Sequence, residues 1–431
     1  MKLNILLLCN KPKARQDAAT IVDHIEAFEK YSKHTIWLCS NLGDLPPLLD
    51  LTQFDAVIIH YSLCLFTDSY ISRASKAKLR EFTGLKIVFI QDEYRRINKI
   101  IEEFAFLKID VLFTCFPEHE MGRIYTENAL PGVSKYTNLT GYIPEYLIKQ
   151  SQSIPIDKRS IHVGYRGRKI PFWLGALAYE KYDIVNKWNT FTRDENLITN
   201  ISCQEHDRIY GSKWVDFLSS CKATLGVESG ASVMDFTGEL EQIIELHQLE
   251  HPTDSFDAVQ QRYLSAHEGM YKLNQISPRC FEAIALKTVL VLYEGEYSGL
   301  LVPDRHYIML KKDFSNIAHV LACLRDDQYL QRMADRAYDE VALNSTNSYQ
   351  HFIEKCDQII STEFQERSKL QVSSHYTKIA FKKVVLTISF KNRLNQSTRA
   401  LYQKMPATIR TIIKFLYYNI LKSSLHKKES R

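Results

Sequence analysis

Short, unbroken apolar runs separated by amphipathic stretches constrain this chain more than any other feature. Residues 4–9, 34–39, 56–60, 86–90 and 111–114 are such runs. A strand that is apolar at consecutive positions has no face suited to water, so it predicts a parallel sheet with helices on both sides. Residues 18–31, 73–81 and 97–107 lie between the runs and carry helical periodicity. A second series begins near Ser160, with strands expected at 161–164, 182–185, 223–227, 288–293 and 306–309. The fold class expected is α/β, with two Rossmann-like doubly wound domains facing a cleft and a basic helical tail.

The expected boundaries are 1–150, 158–362 and a tail at 363–431, with residues 150–157 as the linker. Residues 239–266 are wetter and read as surface helix and loop, while 314–336 and 348–362 read as closing helices, the last crossing back toward the first domain. A length of 431 residues suits two such cores better than one. The net charge of +5 hides an asymmetry: residues 361–431 hold 15 Lys or Arg against three Glu, or +12, which leaves −7 for residues 1–360. The nine cysteines form no CxxC pair and several lie in apolar runs, which predicts packed, reduced thiols. The opening MKLNILLLCNKPK is too short in apolar residues for a signal core, and no run of 18 apolar residues occurs. A cytoplasmic protein is expected, possible attachment to the inner membrane face depending on the tail.

Fold alone selects no reaction, so the motifs must do so. After the first strand comes Cys9-Asn10-Lys11-Pro12-Lys13, with no GxGxxG, and no GxxxxGK[ST] occurs anywhere. Nicotinamide and ATP readings both lose ground.

Three segments carry chemistry instead. In ISPRCFEAIALKTVLVL (276–292), Ser277 caps a helix and Pro278 occupies its first position. Arg279 and Glu282 then project from the early turns, where Arg279 suits a phosphate and Glu282 suits ribose hydroxyls. A first-turn carboxylate placed there only by the helix dipole explains Glu282 equally well. In IHVGYRGRK (161–169), Gly164 and Gly167 punctuate a strand end bearing Arg166, Arg168 and Lys169, a set able to clamp a diphosphate or form a solvated loop. In LGVESGAS (225–232), Glu228, Ser229 and Gly230 follow another strand and suit a base, sugar or phosphate, or else a plain turn and cap.

The 276–292 segment resembles the nucleotide-sugar-binding segment of two-domain (GT-B type) glycosyltransferases, especially the spore-maturation CgeB-like proteins and the group 1 enzymes. In the related retaining enzymes a Glu in the phrase E-A-x-A-x-G-x-P holds the donor's ribose. Here the phrase is Glu282-Ala283-Ile284-Ala285-Leu286-Lys287-Thr288-Val289, with Lys287 in place of the glycine and Val289 in place of the proline. The family's second Glu, eight positions upstream, is Asn274 here, and Glu268 is the nearest upstream carboxylate. The resemblance also implies an Arg/Lys pair after the first strand of the second domain, and a nucleotide-sugar co-substrate. It covers mainly residues 160–340.

On this reading the first domain holds the acceptor, and a carboxylate at its strand ends serves as general base. Asp92 and Glu93 are the candidates, then His60, with His119 beyond them. No HExxH or thiolate pair occurs, so no metal is expected and arginines do its electrostatic work.

The tail mixes aromatic, aliphatic and basic residues. Ile409, Ile412, Ile413, Leu416, Ile420 and Leu421 approximate a stripe flanked by Lys414 and Lys422, with Tyr417 and Tyr418 alongside. Residues 376–428 are expected to lie on an anionic membrane surface or to pack on protein. Lacking a nucleic-acid motif, the chain is expected to have no nucleic-acid partner. The leading expectation is transfer of a sugar from a nucleotide-sugar to a cell-surface glycan or lipid-linked acceptor, as in lipopolysaccharide biosynthesis. A nucleotide-sugar epimerase of similar fold and a non-catalytic carbohydrate- or nucleotide-binding protein are the alternatives.

Overall fold

A computed structural model describes residues 1–12, 19–149 and 154–387, together with 392, 394, 397, 398, 401, 402, 405, 409 and 410. Six parallel strands form the first sheet: β1 (Asn4–Cys9), β2 (Thr35–Ser40), β3 (Ala56–Ile59), β4 (Leu85–Phe89), β5 (Val111–Thr114) and β6 (Ser134–Thr137). Their order is β2-β1-β3-β4-β5-β6, with Asn4 opposite Thr35 and Ile5 opposite Ala56. The unbroken apolar runs follow from this layering. On β1, Ile5, Leu7 and Cys9 join the cluster containing Ile25 and Phe28, whereas Leu6 and Leu8 join the one containing Leu79, Ile100 and Phe104. Both faces are dry, so both alternating sets are apolar.

The second sheet is also parallel, in the order β13-β12-β9-β7-β8. Its strands are β7 (Ile161–Arg166), β8 (Thr199–Ser202), β9 (Cys221–Gly226), β12 (Val289–Tyr293) and β13 (Tyr307–Leu310). A small antiparallel pair, β10 (Ser229–Ala231) with β11 (Leu273–Gln275), lies apart from it. These are two Rossmann-like α/β units, as the apolar runs predict. In each sheet the strand order reverses beside the first strand, between β1 and β3 and between β7 and β9. A parallel sheet leaves a crevice at such a point.

Residues 182–185 are not a strand but part of the helix Ala176–Phe191. Ile184, Val185 and Trp188 lie on its buried face with Leu177 and Ala178, and the adjacent β-branched pair Ile184-Val185 mimics a short strand. Residues 239–250 form a helix whose Glu241 pairs with Arg95 and Arg96 of the first unit. Asp235 sits at the same junction: its amide donates to Tyr94 C=O at 2.9 Å, and its carboxylate accepts from the amides of Gly238 and Glu241.

Beyond the second sheet, the helix Tyr349–Glu366 returns to the first. Its Tyr349, Phe352, Ile353, Cys356, Ile360 and Phe364 pack in the cluster of β1, β3 and β4. Tyr136 Oη donates to Glu363 at 2.7 Å, and Lys33 N donates to Asp357 at 2.6 Å. The chain then runs along the outer edge of the first unit. Val372 N donates to Asp55, Tyr376 Oη accepts from Asp50 N, and the helix Lys378–Val385 buries Phe381 against Trp37 with ring centroids 5.1 Å apart. Residues 376–385 therefore rest on protein, with Lys382 and Lys383 outward. Of the tail residues singled out above, Ile412, Ile413, Lys414, Leu416, Tyr417, Tyr418, Ile420, Leu421 and Lys422 lie outside the described residues. No helix among the described residues is long and apolar enough to cross a membrane.

Candidate functional site

A cavity of about 930 Å³ opens at the β7/β9 reversal. The end of β7 supplies Arg166, Gly167 and Arg168, and the turn after β9 supplies Val227 and Ser229. Lys181 enters from the helix Ala176–Phe191, and Arg208, Tyr210 and Trp214 enter around the start of the helix Ser212–Ser220. The helix Pro278–Ala285 contributes Ser277, Pro278, Arg279 and Glu282. The first unit closes the opposite side with Ala19 and Thr20 of the helix Ala19–Tyr31 and Tyr146 of the helix Glu145–Lys149.

Pro278 begins its helix as the sequence predicts, and Ser277 precedes it in extended conformation without a side-chain capping bond. The positive end of that helix is thus presented to the cavity. Trp214 organises the charged groups here: Arg279 lies over its ring at 5.6 Å, and its indole Nε1–H donates to Glu282 at 2.8 Å. Burial pushes the Glu282 carboxyl up, against the Trp214 bond and the Arg279 charge. Arg279 also donates to the Arg166 carbonyl. Lys181 is held low, to about 8, by burial and then by the charges of Arg279 and Arg168. Among the described residues no salt bridge joins Lys181 or Arg168 to a carboxylate, and Asp92 and Glu180 act on Lys181 more weakly than burial and the two arginines, so positive charge gathers at the cavity.

The other cations expected at the β7 end do different work. Arg166 Nε donates to Asp207 C=O, its Nη1 to the carbonyls of Tyr165 and Asn200, and its Nη2 to Asn200 Oδ1. Those bonds tie β7 to β8 and to the loop beyond it, leaving little for a phosphate. Lys169 lies over Phe172 at 5.4 Å and is not part of the cavity wall. Gly164 is a packing glycine, since a Cβ there would stand 2.4 Å from Cys221 Sγ. Gly230 is needed for β10 to meet β11: with φ +115, its Cβ would fall 1.6 Å from the Leu273 carbonyl oxygen.

Glu228 is buried beneath the β9–β10 turn. It accepts from Tyr297 N at 2.8 Å, from Glu296 N at 3.2 Å and from Asn274 Nδ2 at 3.0 Å. Asn274, where the resembling enzymes carry a Glu, therefore binds a carboxylate and does not supply one. Glu268 caps the Ala176 helix through Ala176 N at 3.0 Å and is no substitute in the cavity. Lys287, in the place of the family glycine, does adopt the left-handed φ of +54 that favours glycine, and its ammonium pairs with Asp335 at 2.7 Å.

In the first unit the three candidate bases separate sharply. Asp92 is exposed and accepts from Tyr94 Oη at 2.8 Å, and its charge reaches Lys181 across the cleft. Glu93 is fully buried: Cys115 N, Thr114 Oγ1 and Tyr125 Oη all donate to it at 2.5 Å, and burial raises it to about 8. It ties the ends of β4 and β5 together and faces no acceptor. His60 is equally buried. Ser62 N donates to its Nδ1 at 3.0 Å, so the proton is on Nε2, which donates to His24 Nδ1 at 3.0 Å. Burial and then His24 hold His60 far below the ordinary histidine range, so it is a neutral core residue. His119 is on the surface.

Lys181 and Trp214, both in the cavity wall, are residues that the sequence does not single out. A lone Lys within a helix and a Trp after a glycine turn carry no spacing signal. Among the described residues no three His, Cys, Asp or Glu are grouped so as to hold a metal ion.

The architecture is that of the GT-B fold, two Rossmann-like units across a cleft. No family model and no curated protein matches the chain. Solved structures do. An alpha-glucosyltransferase in complex with UDP and a 13-mer DNA containing a HMU base matches at TM-score 0.52 and 12% identity, over 84% of this chain and 99% of that one. An alpha-glucosyltransferase in complex with UDP-glucose and DNA containing an abasic site matches at TM-score 0.51 and 11% identity, over 84% and 100%. At such identity the likeness is one of fold. It corrects one expectation: chains of this fold are bound to DNA in those structures, so a missing nucleic-acid motif does not exclude such a partner.

Proposed function

We propose that the cleft binds a nucleotide-sugar and transfers its glycosyl group to an acceptor hydroxyl. The observation that carries this is the convergence of Arg168, Lys181 and Arg279 on the start of the Pro278 helix, with Glu282 one turn further in. Cations held in no salt bridge among the described residues, beside a helix amino terminus, suit a diphosphate, and a neighbouring carboxylate suits the hydroxyls of the attached ribose. As the bond from sugar carbon to phosphate oxygen breaks, charge collects on the departing diphosphate. Groups already held in place stabilise that charge without reorganising. The new bond forms to the acceptor oxygen, whose proton needs a base, and we assign that role to exposed Asp92, whose charge reaches Lys181. The fold shared with solved alpha-glucosyltransferases in complex with UDP supports the same reading.

The sequence argument favours a cell-surface or lipid-linked glycan as acceptor. Calorimetry of the full chain with UDP, GDP, ADP and their sugar conjugates, in buffer containing chelator, tests the donor half. One nucleotide should bind, and Lys181→Met should weaken it by about ten-fold. Absence of binding to every nucleotide would overturn the reading. Acceptor assays with a glycan, a glycolipid and HMU-containing DNA, run side by side with the donor that binds, test the other half. Turnover on none but the DNA would overturn the glycan assignment.

A further inference from the structure

The loop that carries Asp92 is tied down at every residue but that one. Beyond β4, Gln91 Nε2 donates to Thr140 C=O at 3.2 Å, and Thr140 Oγ1 donates in turn to the Ile276 carbonyl at 2.6 Å, just before the Pro278 helix. Glu93 is bonded to Cys115, Thr114 and Tyr125. Tyr94 C=O accepts from Asp235 N of the second unit at 2.9 Å. The same contact continues as Ile97 N donates to Asp235 C=O and Asn98 N to Phe236 C=O. From Gln91 to Tyr94 only Asp92 is exposed. Its backbone is thus fixed from both units, at the carboxyl end of β4 and close to the start of the Pro278 helix. A short side chain in water still has several rotamers, and a base acts from one of them.

Tyr94 removes that freedom. Its Oη donates to Asp92 Oδ1 at 2.8 Å, and no other hydrogen bond to the Asp92 carboxylate is formed among the described residues. The phenol ring itself is set against the second unit, with ring centroids 6.0 Å apart from Trp173, which follows β7. Burial, then the charge of Asp92, pushes the Tyr94 phenol up, so it remains a donor wherever a carboxylate base is charged.

We propose that Tyr94 is the positioning residue of the acceptor base, holding Asp92 Oδ1 so that Oδ2 is left for the acceptor hydroxyl. This rests on the assignment of Asp92 as base and adds the group that aims it. Tyr94 is gripped by the second unit through its carbonyl and its ring, so the base is set in register with the unit that holds the donor. As the acceptor oxygen bonds to the sugar carbon, its proton passes to Oδ2 and the diphosphate leaves with the bonding electrons. The phenol keeps its own proton throughout.

The test compares the full-length wild type, Tyr94→Phe, Asp92→Asn and the double variant. Turnover is read as nucleoside diphosphate released from the nucleotide-sugar that binds, with water as the acceptor. Asp92→Asn should lower kcat by about 100-fold or more. Tyr94→Phe, which keeps the ring, should lower kcat by about ten-fold, with donor affinity within about two-fold and the melting temperature unchanged. In the Asp92→Asn background the same change should cost less than about two-fold. The acid limb of the Tyr94→Phe pH–rate profile should also move to higher pH, because the lost bond favoured the charged carboxylate. A ring that served only to pack would move neither kcat nor this limb. Wild-type turnover in Tyr94→Phe beside an impaired Asp92→Asn, or an equal loss in both backgrounds, would overturn this inference and leave the base standing. An unimpaired Asp92→Asn, or a wild type that releases nucleotide from no donor, overturns both.

Discussion

The indole of Trp214 bridges the two charged groups of the Pro278 helix, donating to Glu282 at 2.8 Å while its ring lies under Arg279 at 5.6 Å. Replacing it with Phe keeps the ring and removes the donor. Trp214→Phe should weaken nucleotide affinity by roughly five- to ten-fold, about 1 kcal/mol, and leave the melting temperature nearly unchanged. Calorimetry and thermal unfolding on the same samples check both halves.

Nucleotide affinity should also fall as pH rises. Lys181 is held at about 8 in the free protein, so its ammonium is fully charged at pH 6.5 and is lost above pH 8. A bound diphosphate shifts that loss upward by favouring the charged form. Dissociation constants measured from pH 6.5 to 9.5 should rise through this window for the wild type and stay flat for Lys181→Met.

Glu93 separates a structural carboxylate from a catalytic one. Glu93→Gln should retain transfer activity within about three-fold, since an amide can still bond Cys115 N, Thr114 and Tyr125. Glu93→Ala strands those buried donors and should cost about 2–4 kcal/mol in denaturant unfolding. The folded carboxyl is raised from 4.5 to about 8 by burial, so its protonated form stabilises the protein at low pH. That stability is lost as pH rises from about 4.5 through 8, and Glu93→Gln should remove this part of the pH slope.

Asn274→Asp tests the carboxylate lock beneath the β9–β10 turn. The substitution turns a donor 3.0 Å from Glu228 into a second acid. At neutral pH the like charges should lower stability by on the order of 2–4 kcal/mol. Acidification toward pH 5 should recover much of this, because one proton shared by the pair removes the repulsion. Chemical denaturation at pH 7.5 and 5 checks the sign.

The layered fold was legible because burial on both faces of β1, β3 and β12 demands consecutive apolar residues, and few other arrangements do. The start of the Pro278 helix was legible from Ser-Pro, whose backbone preferences are local. The misreadings share another cause. Arg166 looked like a phosphate ligand because its partners are main-chain carbonyls of Tyr165, Asn200 and Asp207, and a sequence does not display which carbonyls a fold brings near. Glu93 and His60 stand at strand ends as expected, but whether such a residue points to the cleft or beneath the next strand is settled by packing. Lys181 lies in a stretch whose apolar neighbours imitate a strand, and its meaning comes entirely from Arg168 and Arg279 across the cavity.

The return of the Tyr349–Glu366 helix has a consequence for how the molecule can be divided. The chain leaves the first sheet near Ile143 and comes back near Ser348, and these two points are bridged, Ile143 N donating to Asn347 C=O at 2.9 Å. The first unit is thus contiguous in space but not in sequence. A fragment ending at residue 149 would expose the surface that Phe352, Ile353 and Ile360 cover, and supplying that helix as a separate peptide should restore its solubility. The second unit is in effect an insert held at both ends by neighbouring segments, so a single cut in either crossing leaves the other still joining the halves.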